Sequence, residues 1–469
     1  MAWDRLGDKA RQRLQDQLVR EQVRAVASGS AYWKKRFADI GRPAASVTSV
    51  DKLASVPAVG ERDVSPTGDA AAMASLVLHG GEKHFALHTH GPTLRRALRK
   101  KATRSRDYPR IVARETRATS YGWTGLGFRY PVASTRGDLD VLSRTGARMW
   151  SVIGATADDA LLAAVPPGSV EYDALHYAAL GAGAPALFPG IDPAEVATAA
   201  LLAPPTVLAV AAAAATQVLT GLNEAGVPLK QLRTLLLVGA PTDDERAAAR
   251  RGLADVGAAG DAVVLGVHVP AGGRLAWAEC RPSAGGSGLH TYPDHDLVQV
   301  VDPESGDPVS GEPSTAAGAG GELVLSQLGL RGSAVLRWRT GDLAAAIDTS
   351  PCPACQRKVP RLVGVRRGAL VVATDAGLPL DLRAVAGALA GRADLADWRV
   401  VVGGRARDGR QQVVVHLAPN GDAGAATVGA AADIRAAAGM LPSQLVLAEN
   451  GELGRLPGEA LTRRMLLRR

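Results

Sequence analysis

Aromatic residues are scarce in this chain: Phe, Tyr and Trp make up 4% of its 469 residues, against 46% hydrophobic residues overall. A core with so few rings must be built from valine, leucine and alanine. Cysteine is scarcer still, with three residues, which excludes a disulfide framework and fits a reducing compartment. No run of about 18 uninterrupted apolar residues occurs, so no membrane span is expected. The nearest stretch, 199 to 222, is broken by Pro204-Pro205, Thr206, Thr216 and Gln217 and reads as a loop entering a buried, alanine-rich helix. Met1-Ala2-Trp3-Asp4-Arg5 has no hydrophobic signal core, and a cytoplasmic location is the expectation.

Positive charge, in contrast, is plentiful and clustered. The formal net charge is +8, with arginine concentrated between Arg95 and Arg110 and in the last seven residues. Such a balance suits nucleic acid, phosphorylated substrates or acidic surfaces. The run from Thr93 to Arg110 holds Tyr108 as its one aromatic residue. Without aromatic interleaving it lacks platforms for stacking single-stranded bases, so nucleic acid is not expected as a partner. A solvated, helical or mobile insertion is expected, and an anionic nucleotide is partner enough. His84, His88 and His90 are irregularly spaced and read as loop histidines in preference to a metal site.

The length calls for two domains, one much larger. An amphipathic helix with Leu14, Leu18 and Val19 leads to an aromatic anchor, Tyr32-Trp33 and Phe37. From residue 150, short apolar runs alternate with helical patterns, which predicts an α/β fold with parallel sheets covered by helices. Residues 299 to 338 read as antiparallel strands joined by Gly/Pro turns, a small β-subdomain. After a hinge at Val363 to Arg367 the pattern changes to about a hundred residues of short strands and helices, a small α+β domain, with Asn420 to Gly429 expected as a surface loop.

The segment Arg337-Trp338-Arg339-Thr340-Gly341-Asp342-Leu343 carries the most chemistry. A carboxylate accepts two charge-assisted hydrogen bonds from a vicinal diol, and a Thr-Gly turn lets the backbone approach closely; the bland alternative is ordinary turn chemistry after a strand. Together with Thr119-Ser120-Tyr121-Gly122-Trp123-Thr124-Gly125, the strand-to-turn segment Leu235 to Pro241, Trp277-Ala278-Glu279-Cys280-Arg281 and Gly288 to Asp294, it resembles the adenylate-forming (AMP-binding) superfamily, in its phenylacetate-CoA ligase-like branch. Tyr32 to Phe37 and Val47 to Pro57 match the N-terminal region of that branch. The resemblance spans nearly the whole chain. It implies a large N-terminal AMP-binding domain over 1–363, a small mobile α+β lid over 364–469, and an ATP-dependent ligase that activates an aryl or other organic carboxylate for CoA or another nucleophile.

The resemblance further implies ATP and Mg2+ as cofactors, Asp342 on the ribose, Gly239, Ala240 and Pro241 on the adenine, and Ser120, Gly122, Thr124 and Gly125 on the phosphates. His176-Tyr177 either line the acid pocket or pack the core. Three positions depart from the family. Leu126 stands where a lysine often follows the phosphate loop, Leu265 to Gly273 contains no Thr-Glu pair for the magnesium, and Leu461 falls at the lid lysine. Arg463 and His268 are the candidates to replace the missing groups, although a guanidinium fork is not a compact ammonium. A catalytically degenerate homologue that binds nucleotide or acid, or supports a partner enzyme, is therefore the alternative. The sequence specifies neither the acid, the acceptor nor the oligomeric state.

Cys280, His290, Cys352 and Cys355 form a Cys₃His set that uses every cysteine of the chain, and Cys352-Pro353-Ala354-Cys355 has knuckle spacing. Soft thiolates with one imidazole suit a closed, tetrahedral structural zinc; the alternative is buried free thiols.

Overall fold

A hairpin of β1 (Ala118–Thr124) and β2 (Tyr130–Thr135) precedes the central sheet. Five strands then run parallel: β3 (Leu161–Ala164), β4 (Ala186–Leu187), β5 (Val207–Ala211), β6 (Thr234–Val238) and β7 (Val263–His268). The chain continues through β8 (Trp277–Ala278), β9 (Leu289–His290), β10 (Asp296–Val301), β11 (Gly321–Gln327), β12 (Trp338–Ala344), β13 (Ala346–Asp348) and β14 (Arg361–Val363). The large sheet has the order β13-β14-β9-β8-β7-β6-β5-β3-β4, parallel from β7 to β4 and antiparallel beyond β7. Strands β10, β11 and β12 pair antiparallel in a separate sheet.

The computed structural model describes the chain apart from residues 1–2, 66–68, 90, 125–129, 284–285, 287, 303–305, 310–320, 368–370, 374–378, 391, 406–410, 439, 450–452, 454–459 and 463–469. The chain divides into two compact units, 1–366 and 367–469.

The apolar runs of the parallel strands follow from burial on both faces. Within β6, Leu236 and Val238 join one hydrophobic core while Leu235 and Leu237 join another on the opposite face. The alanine-rich helices Pro193–Leu202 and Ala215–Glu224 cover that second core. Beside the first, helices Arg136–Val152 and Val170–Ala182 cross at two glycines. A Cβ on Gly146 would lie 2.4 Å from Ala178 Cα, and one on Gly181 would lie 1.9 Å from Ser143 O.

At the N-terminus the long helix Asp8–Gly29 buries Val19, Val23 and Val26. Ser30 caps the next helix, Ala31–Asp39, whose Trp33 Nε1 donates to Ala334 O at 2.9 Å. The basic run forms two helices, Gly91–Ala102 and Asp107–Thr116, packed on a small cluster of Phe85, Ala97 and Ile111. His84 and His88 lie on a helix, Glu82–His88, and not in a loop. Their i, i+4 spacing brings the ring centroids to 4.5 Å, tilted by 51°.

In the C-terminal unit, strands Leu395–Arg405 and Gln411–Pro419 form an antiparallel pair, with Gln444–Leu447 parallel to the second and Ala460–Thr462 antiparallel to the first. Helices Leu382–Ala390 and Ala423–Ala438 close its core, which contains Trp398, Leu417 and Ile434. The expected loop at 420 to 429 is helical from Ala423, because Asp422 caps the backbone N–H groups of Gly424 and Ala425 and alanine carries the helix onward.

Candidate functional site

The C-terminal ends of β6 and β7 lie side by side, since Val238 is paired with Val267. This places Gly239 next to His268. Gly239 has φ +120°, a conformation that glycine adopts without strain, and its N–H donates to Val267 O at 2.7 Å. Ala240 is buried and Pro241 half-buried, and Thr242 then caps helix Asp243–Asp255 through a capping box with Glu245. Crevices at the carboxyl ends of parallel strands are where α/β sheets bind ligands.

Asp342 reaches the same end of the sheet from β12. The Thr-Gly-Asp segment is a bulge inside that strand, not the expected turn: Arg339 pairs with Val324 and Leu343 with Glu322, so three residues of β12 face one of β11. Gly341 supplies the left-handed residue at φ +66°. Thr340 Oγ1 donates to Leu323 O at 2.8 Å and accepts from Asp342 N, while Gly341 N donates to Glu322 Oε1. The bulge re-aims the Asp342 side chain. Its Oδ2 lies 2.8 Å from His268 Nε2, and both side chains are fully buried. Sequence reasoning singles out both residues but not their contact, which depends on how β7 and β12 meet in space.

Ser120, Gly122 and Thr124 lie on β1, with Tyr121 and Trp123 exposed between them. A Cβ on Gly122 would sit 2.8 Å from Asp173 Oδ2, so this glycine makes room for helix Val170–Ala182. Thr124 Oγ1 accepts from Gly272 N at 3.4 Å, joining the hairpin to the loop that follows His268. Gly125, Leu126 and Arg463 lie outside the described residues. Leu461 pairs with Val400 along the strand Ala460–Thr462 of the C-terminal unit. Tyr172, His176 and Phe188 form an aromatic group, with ring centroids 4.6 to 6.1 Å apart, and Tyr177 lies edge-on to His176.

The positions where the ligase pattern carries its Thr-Glu pair supply no magnesium ligand. Val269, buried and apolar, stands next in the chain where a carboxylate is needed. Glu279 approaches the same strand, yet its carboxylate is bound by both Arg246 nitrogens at 2.9 Å and by Gly266 N. Burial pushes the Glu279 pKa above the usual range despite Arg246. Sequence reasoning misses Arg246, because 33 residues separate the pair and no local motif joins them.

Cys280, His290, Cys352 and Cys355 converge, with one ligand atom from each all within 4.8 Å of one another. Cys280 and Cys352 sulfurs are 3.8 Å apart, and Cys355 Sγ is 3.3 Å from His290 Nε2. The sheet builds this arrangement: His290 on β9 pairs with Ala278 on β8 and Arg361 on β14, and the Cys-Pro-Ala-Cys segment lies between β13 and β14. His290 Nδ1 faces Ala278 O at 3.2 Å, which fixes the ring and leaves Nε2 toward the sulfurs. Burial holds the His290 pKa down to about 4, so the imidazole is neutral at pH 7. Three cysteine sulfurs, once deprotonated, and one neutral imidazole are the donor set of tetrahedral zinc.

No family model matches the chain, and no curated protein matches it. Solved structures do. A crystal structure of 2-hydroxyisobutyryl-CoA ligase in the postadenylation state with R3-HIB-AMP is 15% identical, with TM-score 0.64 over 95% of this chain and 86% of that one. The open conformation of the same ligase with 2-HIB-AMP and CoA gives TM-score 0.60 at 16% identity, over 96% and 90% of the two chains. ATP-bound MatB from Rhodopseudomonas palustris gives TM-score 0.50 at 16% identity, over 72% and 65%. The likeness establishes the fold: nearly the whole chain is folded as 2-hydroxyisobutyryl-CoA ligase is, a mixed α/β architecture with a smaller C-terminal unit.

Proposed function

We propose that the chain is an adenylate-forming enzyme of the phenylacetate-CoA ligase-like branch, which uses ATP to activate an aryl or other organic carboxylate and passes it to CoA or another nucleophile. The observation that carries this is a fold shared over 95% of the chain with a ligase trapped with an acyl adenylate, together with the meeting of the Gly239 turn, the β1–β2 hairpin and the Thr340–Asp342 bulge around one end of the sheet. In this reading the Gly239 to Pro241 turn takes the adenine, Asp342 belongs to the ribose subsite, and Ser120, Gly122, Thr124 and Gly125 belong to the phosphate loop. Ser120 and Thr124 lie on β1, and their hydroxyls suit phosphate oxygens. Carboxylate-dependent exchange of pyrophosphate into ATP is the test, and no exchange across a broad panel of aryl and aliphatic acids, with ATP still bound, overturns it.

A second reading, a slowed or non-catalytic relative that binds nucleotide or acid, is favoured by Val269 in place of a magnesium carboxylate and by Leu461 at the lid-lysine position. Loss of one such charge-stabilising donor typically costs about 10² to 10³ in rate. Binding of ATP without exchange supports this second reading. We also propose that Cys280, His290, Cys352 and Cys355 hold a structural zinc ion; a site with four protein ligands keeps no open position for catalysis.

A further inference from the structure

Asp342 touches an imidazole. A carboxylate has no hydrogen to give, so the hydrogen in the 2.8 Å contact belongs to His268 Nε2. In the neutral ring this leaves Nδ1 as the acceptor. Nδ1 is buried and has no hydrogen-bond partner among the described residues. An unmet buried acceptor is costly to keep, and the Nε2 contact alone already ties the ring to Asp342. His268 stands at the end of β7, next to the Gly239 turn and four residues before Gly272, where the β1–β2 hairpin is tied.

We propose that His268 is the residue that meets the nucleotide, accepting a hydrogen bond at Nδ1 from a hydroxyl of the ligand, and that Asp342 is a positioning residue acting through it. The inference rests on the reading of this end of the sheet as a nucleotide subsite. It assigns the Asp342 carboxylate to holding the ring and gives the hydroxyl recognition to an imidazole located where the ligase pattern carries its Thr-Glu pair.

Two amides separate the nitrogens of the ring. In His268→Asn the amide occupies the place of Nδ1; in His268→Gln it extends to the place of Nε2. Titration calorimetry of the full chain with ATP and with AMP reads the difference, with thermal midpoints measured alongside. The expected result is that the Asn variant binds within about threefold of wild type and the Gln variant at least about tenfold more weakly. Asp342→Asn retains an oxygen for the Nε2 hydrogen and is expected to stay within about threefold as well. The proposal is overturned if Gln binds as well as or better than Asn, or if Asp342→Asn loses about tenfold or more while its thermal midpoint is unchanged. If wild type binds neither ATP nor AMP, the nucleotide reading itself falls and takes the proposal with it; binding by wild type that ignores His268 sinks the proposal alone.

Discussion

Asp296 shows how a buried acid sets the pH response of this protein. Its side chain is wholly inside, Trp277 Nε1 donates to Oδ2 at 2.7 Å, and burial pushes its pKa from 3.8 up to about 7. An acid with a raised folded-state pKa favours folding while protonated. Its contribution is complete below the unfolded value near 4 and is lost as pH rises through about 7. Urea unfolding at pH 5 and pH 8 is therefore expected to show a fall in stability, and Asp296→Asn is expected to reduce that fall by on the order of a few kcal/mol. The Arg246–Glu279 pair makes a second prediction at this scale. Removing the guanidinium in Arg246→Ala leaves the Glu279 carboxylate buried against Gly266 N without its bidentate partner, and is expected to cost about 3 kcal/mol in the same unfolding measurement.

Among the elements, the crossing of helices Arg136–Val152 and Val170–Ala182 depends on close approach at Gly146 and Gly181. Glycine to alanine in a helix interior ordinarily gains about 1 kcal/mol from propensity. At Gly146 the added methyl would strike the backbone of Ala178, so Gly146→Ala is expected to destabilise by about 1 to 3 kcal/mol, the opposite sign, in chemical denaturation. The same dependence on close contacts explains what is legible in the sequence. Strands β5 and β6 are readable because burial on both faces demands an unbroken apolar run. The Cys₃His set is readable because its residue types are rare. The bulge at Thr340 to Asp342 looks like a turn in sequence, since Gly341 serves either geometry and only the pairing with Glu322 and Val324 decides between them. The contact between His268 and Asp342 crosses 74 residues and has no local signature. Asn420 to Gly429 has the alanine and glycine content of a loop, and only the cap that Asp422 forms on the following N–H groups turns that composition into a helix.

At the scale of the whole molecule, hydrophobic cores are built within each unit: Leu236 and Trp277 belong to the first, Trp398 and Ile434 to the second. A protein with separate cores is expected to unfold in more than one step. Scanning calorimetry is predicted to resolve a transition for residues 367–469 that Trp398→Ala lowers while leaving the main transition in place. Metal analysis of the purified chain is predicted to return one zinc per molecule, and a strong chelator or Cys352→Ser to lower the main transition; absence of stoichiometric zinc with an unchanged Cys352→Ser midpoint refutes the centre. The cysteine cluster also has a consequence in time. Cys280 and Cys352 are 72 residues apart in the chain. During synthesis the ribosome therefore delivers Cys280 and His290 well before their partners, and the antiparallel edge from β8 to β14 waits, with loose ligands, for Cys355 to emerge. The parallel half of the sheet has no such dependence and can form first, so a nascent chain stalled before residue 352 would carry an unfinished border open to thiol-capping reagents, whereas the released protein would resist them.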